Sequence, residues 1–174
     1  MSRHHSRFIF CLVLSLSLAT SLSTLLAMAD ARQARRPAGG PQPVLITVAL
    51  KAGGEAVNST AAGSCTHAAD ASIYNVMSEM WTVRQEEGGR GVQVTLWRPK
   101  NGSGDMFTLS VSGKKDLQVS TVKGGTPSGS GSVKLDRAAK GGTFAIDAKT
   151  ATGEAITGTI QCTAFTPAIA EGGL

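Results

Sequence analysis

Histidine is scarce in this chain, and that scarcity excludes much chemistry. Of the three histidines, His4 and His5 fall in a basic N-terminal stretch with Arg3 and Arg7, leaving His67 alone in the body. A Ser-His-Asp or Cys-His site needs an imidazole that takes up and returns a proton. A single histidine beside a half-buried strand reads more simply as an edge residue. Zinc needs about four N or S ligands, whereas Cys65-Thr66-His67 would alternate along a strand instead of converging. Calcium has no better claim, since no loop spaces acidic oxygens regularly. No metal or cofactor is expected.

Helical patterning is also missing. Outside residues 1–29 no segment sustains a 3.6-residue apolar stripe, and residues 68–80 could hold a helical turn or two at most. Aromatics make up 5% of the chain, so aliphatic side chains must supply most of the buried area. The body lacks excess charge as well. The net charge is +5, yet Arg3, Arg7, Arg32, Arg35 and Arg36 all precede Val44; beyond it 12 Lys and Arg face 11 Asp and Glu. Neutralising phosphates requires cations on the folded surface, so no nucleic-acid partner is expected. The glycine-rich stretch GGTPSGSGS (residues 124–132) has no Lys-Ser/Thr pair in register and leads into a strand, which excludes a phosphate loop.

What is present begins with a leader. The charge-free run over residues 8–29 follows Arg3 and Arg7 and ends in Ala27-Met28-Ala29, the pattern of a cleaved signal peptide. It is long enough to span a bilayer, so an uncleaved anchor is the alternative. Ser15, Ser17, Thr20, Ser21, Ser23 and Thr24 dilute it and argue for cleavage. Cys11 belongs to this leader. Its removal leaves Cys65 and Cys162, which an exported protein normally oxidises to one bridge. In the chain-entropy model, closing a loop near a hundred residues stabilises by roughly 4.7 kcal/mol. Two buried free thiols are the alternative.

Residues 30–43 (DARQARRPAGGPQP) form a flexible linker, rich in proline and without apolar periodicity. Residues 44–168 then read as one β domain, followed by a disordered tail over 169–174. Apolar residues alternate at Val44-Ile46-Val48-Leu50, Trp81-Val83, Val92-Val94-Leu96 and Phe107-Leu109-Val111. The pattern continues through Leu117-Val119, Val133-Leu135, Phe144-Ile146-Ala148 and Ile156-Ile160-Cys162. One apolar and one polar face per strand, with turn residues every 8–12 positions, is the mark of antiparallel sheets. The fold class is all-β: an antiparallel sandwich of about eight short strands, or alternatively a small up-and-down barrel.

Two places invite a functional reading. Trp97 lies on the face of its strand opposite Val92, Val94 and Leu96. An exposed indole there could stack on a glycan or apolar ligand, with Arg98 and Lys100 as a polar rim; alternatively it packs on a second layer. Glu79, between Ser78 and Met80, is the one acid in an apolar setting, and a glycosidase would need a second carboxylate opposite it. Most of the remaining acids sit beside Gly, Lys or Asn in predicted turns, and Asn58-Ser59-Thr60 and Asn101-Gly102-Ser103 match the glycosylation acceptor pattern. The expectation is an exported, non-catalytic β module with a binding or structural role in the cell envelope or beyond it. Its partner would be a small molecule, glycan or envelope component, in a periplasmic or extracellular location. The alternatives are a small secreted hydrolase using Glu79, or an envelope assembly subunit with an uncovered strand edge.

Overall fold

Period-two alternation becomes ten strands among the residues described by the computed structural model, 43–122 and 128–170. They are β1 (Val44–Ala52), β2 (Glu55–Ile73), β3 (Val76–Glu87), β4 (Arg90–Pro99) and β5 (Met106–Ser112). Then follow β6 (Leu117–Ser120), β7 (Ser130–Arg137), β8 (Gly142–Lys149), β9 (Ala155–Cys162) and the short β10 (Thr166–Pro167). The proposed leader 1–29, nearly all of the linker 30–43, and residues 171–174 lie outside the described residues.

Tight turns set the register of the first four strands. Gly53-Gly54, Tyr74-Asn75 and Gly88-Gly89 each join two strands with positive φ at both central residues. That is the two-residue hairpin turn whose twist matches that of its strands. The resulting strands are longer than the sequence suggests: β2 has 19 residues and β3 has 12. The helical option over 68–80 is corrected here. Its alternation is blurred by small residues and by a register shift between Ala68 and Ala71, but the ladder to β3 continues across it.

All the strands belong to one sheet, in the order β6-β5-β4-β3-β2-β1-β9-β8-β7, with β10 added parallel to β2. The other pairings are antiparallel. The sheet curls until its ends nearly meet, where Ser120 and Ser128 exchange backbone hydrogen bonds of 3.0 and 2.9 Å. The expected antiparallel all-β class therefore holds, and the preferred sandwich gives way to its barrel alternative. A sandwich would need a break between two sheets, but long β2 and β3 carry one hydrogen-bonded ladder around the core.

The barrel interior is aliphatic. Ile46 and Val48 (β1), Val83 (β3), Val94 and Leu96 (β4), Leu109 (β5) and Ile156 and Ile160 (β9) are buried in one cluster with Trp81, Phe107 and Phe144. Burying each such side chain is worth about 1.5–3 kcal/mol. Gln85 is a polar exception. Its Nε2 donates to the Ile46 and Ala61 carbonyls, and its Oε1 accepts from Ser59 Oγ at 2.5 Å. At one end of the barrel Lys115 pairs with Glu154 and Leu117 lies beside Gly53.

Cys65 and Cys162 form the expected disulfide, with Cα atoms 6.3 Å apart. Both are buried and face inward. Cys162 is paired with Ile46, and Cys65 lies two residues past the Gly63–Val44 pair that ends the β1–β2 ladder. The bridge thus clips β2 to β9 across the start of β1. Such a bond suits an oxidising compartment. Where β1 stops flanking β2, β10 takes its place beside Thr66 and His67. Ala168 donates to the His67 carbonyl at 2.9 Å, and Ala170 is buried against Ala68 and Ala71. The packed chain thus runs past the start expected for the tail. No helix among the described residues is long and apolar enough to cross a membrane.

Candidate functional site

The inward rows of four strands each end in a polar residue at the same end of the barrel. On β2 Cys65 is followed by His67; on β3 Trp81 is preceded by Glu79; on β4 Leu96 leads to Arg98; on β7 Leu135 leads to Arg137. Neighbouring strands run antiparallel, so the C-terminal ends of β2, β4 and β7 and the N-terminal end of β3 form one rim. Cross-strand pairing sets His67 opposite Trp81 and Glu79 opposite Arg98.

Trp81 is the centre of this rim, and it is fully buried. The His67 ring stacks on it with centroids 4.8 Å apart and planes inclined by 6°. The guanidinium carbons of Arg98 and Arg137 lie 5.2 and 6.0 Å from the centroid of the indole, within reach of its electron-rich face. Arg98 is held by Asp105 at 3.1 Å. His67 Nε2 lies 3.9 Å from Glu79 Oε2, too far for a hydrogen bond. Neither that nitrogen nor Trp81 Nε1, both buried, has a hydrogen-bond partner. Burial lowers the His67 pKa from its ordinary 6.5; Glu79 works against that shift and Arg137 adds to it. At neutral pH this imidazole is therefore uncharged.

Beside His67 opens a cleft of about 710 Å³, lined by His67, Asp70, Arg137, Lys140, Phe165 and Ile169 among others. Phe165 is fixed by its N–H bond to the Lys140 carbonyl, 2.8 Å, and by an edge contact on Phe144 at 6.0 Å. Asp70 is neutralised by Lys100 at 2.7 Å. Arg137 and Lys140 have no ion-pair partner among the described residues. The cleft therefore presents unneutralised positive charge beside an apolar wall, with an imidazole below.

The residues expected to form a ligand site are not brought together. Successive residues of a strand face opposite sides, so Arg98 joins the barrel mouth while Trp97 sits half-buried on the outer face. There Trp97 is paired with Met80 and Met106. Lys100 is engaged with Asp70 outside the indole's strand face. Glu79 does face a second polar group, His67, but no second carboxylate is paired with it among the described residues. No cluster of three metal-ligating side chains occurs among those residues either. Sequence reasoning missed Arg137 and Lys140, although Val133-Leu135-Arg137 extends an alternation already visible. Comparison with protein-family models, curated proteins and solved structures gives no match for this chain.

Proposed function

We propose that this protein is an exported, non-catalytic β-barrel module that binds a small ligand at its open mouth. The cleft beside His67 carries the proposal, because it sets Arg137 and Lys140, which have no ion-pair partner among the described residues, beside an apolar wall. Concave, partly apolar surfaces with a few convergent polar groups are the usual form of ligand sites. The leader over residues 1–29 and the disulfide support export to an oxidising compartment.

The test uses indole emission. In a Trp97→Phe chain the fluorescence reports Trp81 alone, and glycans, lipids and small acids are titrated in turn. A saturable shift with one class is the expected result. Silence from Trp81 with all three classes would overturn the binding reading.

A second reading, a hydrolase, draws on Glu79 beside His67. It is the weaker one, because no Ser or Thr hydroxyl hydrogen-bonds to either side chain among the described residues. It predicts turnover of a glycoside or ester that Glu79→Gln abolishes.

A further inference from the structure

We infer that the mouth cleft takes a small amphiphilic carboxylate, with its acid group on Arg137 and Lys140 and its apolar body along Phe165, Pro167 and Ile169. The inference rests on reading the mouth as the binding site and specifies the chemistry of its ligand. Two observations carry it.

The first is charge. Asp70, the acid in the cleft, is occupied by Lys100, whereas Arg137 and Lys140, at the β7–β8 turn, have no ion-pair partner among the described residues. A guanidinium and an ammonium on one short turn favour a single compact anion, and the planar fork of arginine matches a carboxylate in a bidentate fashion. The second is the wall. Ala139, Ala164, Phe165, Pro167, Ala168 and Ile169 line the rest of the cleft, and Ile169 is 96% exposed. A large aliphatic side chain left that open beside the cleft gains most if an apolar ligand covers it. A bare inorganic anion would leave this wall uncovered.

Decanoate titrated calorimetrically into the disulfide-bonded chain tests this, with decyltrimethylammonium and inorganic phosphate as parallel probes. Decanoate should bind saturably at one site, at least about tenfold more tightly than either of the other two. Arg137→Ala should weaken decanoate about tenfold, and Arg137→Lys should recover part of that loss. Arg137 is exposed on the rim, so neither change threatens folding. Equal binding of the cationic amphiphile would overturn the charge assignment while leaving the mouth as a binding site. Phosphate binding as tightly as decanoate would overturn the apolar half. No binding of decanoate would overturn the inference, and the Trp81 emission titration then decides separately whether the mouth binds another class.

Discussion

The behaviour of the mouth turns on one imidazole. His67 is pressed flat on Trp81, and the desolvation this imposes depresses its pKa below the ordinary 6.5. The unfolded chain therefore binds the His67 proton more tightly than the folded chain does. The stability that follows is fully present above about pH 6.5 and is lost as the pH falls from there towards the folded-state pKa. Urea midpoints measured between pH 7.5 and 5.5 should fall with acidification, and His67→Gln should flatten that segment. If wild type and His67→Gln run parallel through the window, the imidazole is not the titrating group. Of these residues the sequence disclosed His67 as the lone histidine and Trp81 as core. It concealed their contact, because a stack between β2 and β3 depends on register through the irregular stretch from Ala68 to Ala71.

Strands and turns show where local rules suffice. Val44 to Leu50, Val92 to Leu96 and Phe107 to Val111 alternate cleanly and lie in the strands expected of them. The second half of β2 was hidden because Ala68, Ala69, Ala71 and Ser72 carry little hydrophobic signal of either period. Arg98 was hidden by being judged with its neighbour Trp97 instead of with Leu96, two positions away. The turns carry a contrast that can be measured. Tyr74 holds φ at 48° and is exposed, a conformation that costs a non-glycine residue roughly 1–2 kcal/mol. Tyr74→Gly removes that cost and loses part of the benefit to unfolded-state entropy, so it should raise stability by about 0.5–1 kcal/mol. Gly158 is the opposite case, at φ 131° in β9 between β1 and β8, where an added Cβ would meet the Ala49 carbonyl oxygen. Gly158→Ala should destabilise by at least about 1–3 kcal/mol. Chemical denaturation of both variants checks the pair of signs; a gain at Gly158 would mean that β9 is held differently.

At the scale of the molecule, closure was the least legible feature. Alternation tells which face of a strand is buried but not whether the sheets facing the core are one or two. That depends on how far β2 and β3 run and how strongly they coil, and on a seam where, among the described residues, Ser120 and Ser128 bridge the strand ends. The disulfide was more legible, because two cysteines on inward strand positions, downstream of a stretch that reads as a signal peptide, leave few alternatives. It clips β2 to β9 next to the mouth, so its reduction should do more than lower stability. Stability should fall by about 2–5 kcal/mol, read as the shift in denaturation midpoint with and without reductant. An unchanged midpoint would show that β1 and β10 hold that corner unaided. Along the seam, β7 presents the exposed Lys134 and Asp136, charges that discourage further strand pairing.

The mouth, rather than the outer indole, is the functional surface we propose, and backbone amide shift mapping addresses that directly. With decanoate titrated into the oxidised domain, resonances of His67, Arg137, Lys140 and Phe165 should move together and saturate together. If the moving resonances were those of Gln93, Thr95 and Trp97 on the outer face of β4, with the mouth unchanged, the account would be wrong.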